Sequence, residues 1–136
     1  MLVYAAIDQM AWLSVSDLES NGKDFKAWVD KYMLPKNPLG CSSSDLWAAR
    51  NGLLHTGTAE SRDTRNGNAK YKIHYTFGGA VCTENKSTDT VIIKFEDLVG
   101  SYLAGILWFM EDLKADAVKQ ESANNKLKLT LQCISI

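Results

Sequence analysis

The apolar positions follow two rhythms, one of three to four residues and one of two, and their order sets out the elements. Leu2, Val3, Ala6, Ile7, Met10 and Leu13 repeat at helical spacing and predict an opening helix to about Ser14. Residues 14–22 are rich in Ser, Asp, Asn and Gly and read as a loop. Asp24 then offers a cap to a second helix. Phe25, Trp28, Val29, Tyr32 and Met33 form one face of it, and Lys26, Asp30 and Lys31 another. Pro35 ends this helix, and Pro38 and Gly40 mark a connector over 36–40.

The stretch 42–56, SSSDLWAARNGLLHT, is the segment around which the rest is arranged. Ser42, Ser43 and Ser44 supply an N-cap oxygen, and Asp45 places negative charge on the free N–H groups of the first turn. Leu46, Ala49 and Leu53, broadened by Trp47 and Leu54, make the apolar face, and Gly57 is the stop signal just beyond His55. Beyond it, 57–69 is polar and turn-prone, with Asn66-Gly67 as a strong turn.

The rhythm changes at 70–77. Tyr71, Ile73, Tyr75 and Phe77 alternate with Lys70, Lys72, His74 and Thr76, the pattern of a half-buried strand. Gly78-Gly79 turns toward 80–83, and 90–95, rich in β-branched residues, is the expected antiparallel partner across the loop 84–89. A long helix follows over 96–121, with Leu98, Tyr102, Ile106, Phe109, Leu113 and Ala117 on a face broadened by Val99, Leu103 and Met110. Residues 122–125 break it, and Leu127, Leu129, Leu131 and Cys133 alternate as a final strand. The expected fold is α-rich α+β: a bundle of about four helices with a small antiparallel β-sheet appended.

Size narrows this further. The 136 residues, 46% of them apolar with four tryptophans, suit one domain over 1–136 with one filled core. No run of about 18 apolar residues occurs, so no spanning helix is expected, and the N-terminus lacks the basic start of a signal peptide. A cytoplasmic protein without membrane attachment is the expectation. Cys41, Cys82 and Cys133 are odd in number and widely spaced, which argues against a disulfide framework or a thiolate metal cage. The formal charge of −1 gives no broad capture of nucleic acid. It is unevenly spread: 50–75 holds five basic and two acidic residues, whereas 96–116 holds one basic and five acidic.

Arg50, Asn51 and His55 gather the polar chemistry of the central helix. At about 100° per residue, Asn51 and His55 lie roughly 40° apart on one face and Arg50 and His55 roughly 140° apart. One reading is a helix end whose cations satisfy the last carbonyls. The other is chemistry on a phosphodiester: a histidine moves protons near neutral pH, and the planar guanidinium matches the non-bridging phosphate oxygens. Ser61, Arg62 and Arg65 in the following loop are candidate phosphate or RNA contacts, or a basic solvated loop. His74 reads as the exposed face of its strand, while Tyr71 and Tyr75 can stack bases if their face is open. No metal trio, Gly-rich phosphate loop or Gly-x-Ser-x-Gly elbow is present.

The order Arg50, Asn51, Gly52, Leu53, Leu54, His55 resembles the R-N-x-x-x-H signature of the HEPN superfamily, and the segment with Glu60, Ser61, Arg62 and Arg65 looks like part of the same unit in bacterial members. The resemblance implies a small helical domain that works without metal or cofactor and cleaves single-stranded RNA through 2′-OH attack. Arg50, Asn51 and His55 would be the catalytic residues. It also implies a homodimer that pairs Arg50 and His55 across a two-fold axis, and a toxin or defence role with a cognate antitoxin as partner. The alternative within the family is a non-catalytic nucleotide-binding or dimerisation module. His55 is followed by Thr56-Gly57, so the tyrosine that one toxin branch carries two residues after its histidine is absent.

Overall fold

The computed structural model describes residues 2–56, 66–78 and 89–130, the side chains of residues 55 and 56 excepted. Helix α1, Leu2–Ser14, buries Val3, Tyr4, Ile7, Ala11 and Leu13 along one stripe. Helix α2, Gly22–Trp28, is capped by Asn21 and not by Asp24. The Asn21 side chain accepts from the Lys23 and Asp24 amides, and the Asp24 carboxylate accepts from the Asn21 amide, closing a reciprocal box. A wide turn, Val29–Met33, continues α2 with backbone bonds spanning five residues, as in Leu34 N to Val29 O at 3.1 Å. The whole predicted face of Phe25, Trp28, Val29, Tyr32 and Met33 is buried, and the helix stops at Leu34, ahead of Pro35.

Helix α3, Ser43–Asn51, begins at the expected cap, Ser42, and its fully buried Asp45 closes the box. A second wide turn, Gly52–Thr56, carries the backbone past His55. The Asn66-Gly67 turn lies within the described residues. Gly57, residues 79–88 and residues 131–136 lie outside them, and with them the helix stop, the candidate strand at 80–83, most of the loop 84–89, Cys82, and the Leu131 and Cys133 of the last predicted strand.

Strands β1, Lys72–Thr76, and β2, Thr90–Lys94, pair with Ile73 opposite Val91 and Tyr75 opposite Ile93. The pairing is parallel, which corrects the antiparallel expectation. Alternation fixes which face of a strand is buried and carries no information on direction. Residues 77–89 are long enough for the crossover that parallel strands need, and the Lys72 amide donates to Asp89 O at 2.7 Å, so both strands start at one end. Phe95, expected to close β2, instead opens the next helix.

The expected helix over 96–121 is two helices, α4, Phe95–Ala115, and α5, Ala117–Thr130, which makes five α-helices among the described residues in place of about four. Asp116 separates them in an extended conformation, and its carboxylate accepts from the Val118 and Lys119 amides, starting α5 afresh. Residues 122–125 lie inside α5, and residues 127–130 are helical where a strand was expected. The reason is tertiary. Ala123 and Lys126 are buried against α1, where the Lys126 ammonium donates to Trp12 O at 2.6 Å and to Val15 O, closing the carbonyl end of α1. Burial lowers the pKa of that ammonium.

The core is aromatic at its centre. Trp28 meets Tyr32, Tyr102 and Phe109, and Tyr32 meets Trp108. Helix α4 approaches this cluster through Gly105, where a Cβ would come within 3.1 Å of Met33 Cγ and Trp28 Cη2. Leu103 and Met110, expected to broaden the buried face of α4, are about half exposed. No helix among the described residues is long and apolar enough to cross a membrane.

Candidate functional site

Of the three catalytic candidates, the structure brings Arg50 and Asn51 into direct contact and adds a partner that the sequence reading did not identify. Arg50 Nε and Nη2 both donate to Asp8 Oδ2, at 3.0 and 2.8 Å, and Nη1 donates to Asn51 Oδ1 at 3.0 Å. Asp8 is the sole charged residue of the largely apolar α1, and that isolation is the signal that could have marked it. A charge on such a helix is retained at low cost only when paired. The two side chains are 28% and 20% exposed, so the pair sits at the surface without being solvated throughout.

The guanidinium is also fixed from below. Its Cζ lies 4.9 Å from the centre of the Trp47 ring, and Phe25 packs on the same indole at 5.2 Å. Gly22 makes room for that indole, because a Cβ there would lie 2.7 Å from Trp47 Cε2. Above the pair opens a groove of about 380 Å³ lined by Asp8, Gln9, Trp12, Asn21, Trp47 and Arg50. A larger cleft of about 580 Å³, at the start of α4, contains none of the candidate residues and is lined by Lys36, Lys94, Glu96 and Asp97 among others.

His55 lies on the wide turn Gly52–Thr56, and this changes the angle expected from an α-helix. Where the backbone pairs residue i with i+5, each residue advances by less than about 100°, so positions 50 and 55 come closer to one face than roughly 140° implies. Ser61, Arg62 and Arg65 lie outside the described residues. His74 is exposed on β1, as its alternation predicted. Tyr75 is not open for stacking: its hydroxyl is hydrogen-bonded to that of Tyr4, and burial pushes its pKa up to about 12 and that of Tyr4 upward as well. Cys41 is a half-buried thiol packed against the core, its pKa raised to about 12 by burial and then by Asp45, which leaves it protonated at neutral pH.

Among the described residues, two acidic groups of α4 have partners elsewhere than Arg50. Asp112 accepts from the Tyr32 hydroxyl at 2.8 Å and pairs with Lys31, and Glu96 accepts from the Gly78 amide. Among the described residues, no three His, Cys, Asp or Glu side chains gather into a metal site. Comparison with protein-family models, curated proteins and solved structures returns no match for this chain.

Proposed function

We propose that this chain is a metal-independent endoribonuclease acting at Arg50, Asn51 and His55. The observation that carries the reading is the state of Arg50. Its side edge is held by Asp8, and Asn51 bonds Nη1, while the guanidinium borders an open groove one wide turn before His55. A cation oriented in advance stabilises charge developing on a phosphate without reorganising during the reaction. His55 accepts the proton of the ribose 2′-OH as that oxygen attacks phosphorus. The bond from phosphorus to the 5′-oxygen breaks, and that oxygen takes up a proton, leaving a 2′,3′-cyclic phosphate and a 5′-hydroxyl. The homodimer with Arg50 and His55 in a shared cleft remains part of the proposal on the strength of the sequence resemblance. The roughly 140° between Arg50 and His55 on an ideal α-helix, which a partner's Arg50 would bridge, is reduced by the wide turn.

A second reading is a nucleotide-binding module without catalysis. What favours it is that Asp8 neutralises Arg50 and accepts from two of its N–H groups. Purified protein incubated with a labelled single-stranded oligoribonucleotide in chelator separates the two. Wild type is expected to leave 2′,3′-cyclic ends and to spare DNA, and His55→Ala and Arg50→Ala are each expected to slow cleavage by about 100- to 10,000-fold. Cleavage that persists in His55→Ala places the chemistry elsewhere, and failure to cut any RNA leaves the binding module.

A further inference from the structure

We infer that the groove between α1 and α3 seats one nucleotide of single-stranded RNA, with its phosphate on the Nη1/Nη2 edge of Arg50 and its base against Trp12. The inference rests on the reading of Arg50 as a phosphate-binding group and assigns the part of the substrate that lies beside it.

Three observations converge on it. First, a guanidinium has two edges that match a pair of oxygens, and Asp8 takes the one formed by Nε and Nη2. Nη1 also donates one N–H to Asn51 Oδ1, and the second N–H that Nη1 and Nη2 each carry is what a phosphate can meet. Second, the groove offers two indoles, of which one is already occupied. Trp47 is covered by Arg50 and Phe25, whereas Trp12 lines the groove, one helical turn beyond Asp8 on α1. Trp12 is held in place by its Nε1 donating to Leu18 O at 2.7 Å, and Lys126, which lies 5.2 Å from its ring centre, is not among the groove-lining residues. Third, the volume of about 380 Å³ falls within the range of roughly 300–1,000 Å³ that small-ligand sites occupy.

The charge state sets the character of the binding. With Asp8 cancelling Arg50, the groove has little net attraction for a polyanion and depends on directed N–H groups and stacking. Stacking on an indole tolerates any base, so little sequence preference is expected. A single phosphate contact on a single strand gives a salt slope of about −0.7 in log K against log salt, far shallower than that of a basic groove.

The test uses the full chain and a labelled 2′-O-methyl oligoribonucleotide, whose blocked nucleophile permits binding without cleavage, read by anisotropy and tryptophan fluorescence. Wild type is expected to bind with quenching of tryptophan emission. Trp12→Leu, which keeps an apolar side chain and removes the π face, is expected to weaken binding about tenfold, and Trp12→Phe to stay near wild type. Arg50→Lys is expected to weaken binding through loss of the edge. Circular dichroism of each variant controls for folding, and the Trp12→Phe and Trp12→Leu pair isolates the ring from the fold. Absence of binding by wild type, or equal affinity in wild type, Trp12→Leu and Arg50→Lys, overturns the inference. Binding with these losses but no cleavage of unmodified RNA upholds the groove and removes the ribonuclease reading. Cleavage with KM unchanged in Trp12→Leu does the reverse.

Discussion

Two aspartates, Asp45 and Asp8, each tie α-helical segments to distant parts of the chain, and they do so in opposite ways. Asp45 is fully buried, and both of its oxygens are used. Oδ2 accepts from the Ser42 amide and hydroxyl at 2.8 and 2.9 Å, and Oδ1 accepts from the Lys70 and Tyr71 amides at 2.8 and 2.9 Å. It closes the capping box of α3 and pins the chain just before β1 in one stroke, and its acceptor capacity is spent within the fold. Asp8 is partly exposed, uses one oxygen, and binds a guanidinium that keeps an edge toward a groove. A saturated buried carboxylate serves architecture. A half-exposed one that orients a cation can serve a ligand.

The largest effect expected from this contrast is on stability at Asp45. Asp45→Ala removes the reciprocal half of the α3 capping box and strands three backbone N–H groups, which together cost about 3 kcal/mol and lower Tm by roughly 10 °C. A thermal melt within a degree or two of wild type would show that the buried carboxylate is dispensable and break the comparison.

A second test concerns a buried polar link of α1, Tyr4 to Tyr75. Burial favours the neutral phenol in the folded state and raises the Tyr75 pKa from 10.0 to about 12. The unfolded chain therefore loses its proton first. The stabilisation is complete below about pH 10 and is lost as pH climbs toward 12, with a slope of up to about 1.4 kcal/mol per pH unit for one proton. Urea midpoints measured between pH 8 and pH 11.5 should fall accordingly, and Tyr75→Phe should flatten that decline. A flat profile in wild type would mean that the phenols are not buried together.

The smallest effect on stability belongs to Asp8. A half-exposed ion pair contributes about 1 kcal/mol or less, so Asp8→Ala should melt within a few degrees of wild type. Its effect belongs to the site: kcat on RNA is expected to fall about 100-fold as the guanidinium loses its orientation, with Asp8→Glu recovering part of the loss. A destabilisation as large as that of Asp45→Ala would make Asp8 another architectural residue and erase the distinction.

Much of the frame is legible because its causes are local. The buried stripe of α1, the aromatic face of α2, the Ser42/Asp45 box of α3 and the two strands all follow from spacing or capping within a few residues. The departures occur where two local readings compete. Leu127 and Leu129 satisfy a strand's alternation as well as one edge of a helix, and the alternation misleads because both are partly exposed while Ala123 and Lys126 are the buried residues. Asp116 could be read as one more polar position of a long helix, yet its carboxylate satisfies amides at the start of the next one.

For the candidate site the division is sharper. The sequence by itself determined that Arg50, Asn51 and His55 sit on one helical segment capped at Ser42, because hydrogen bonding and side-chain periodicity act over a turn or two. Only the tertiary structure decided that β1 and β2 run parallel, that α5 is helical to Thr130 and that Arg50 meets Asp8. Those outcomes depend on contacts between residues far apart in the chain, 42 positions apart for Asp8 and Arg50 and 114 for Trp12 and Lys126. No periodicity links such positions. A buried charge or an unpaired strand acquires its partner only when the whole core closes around it.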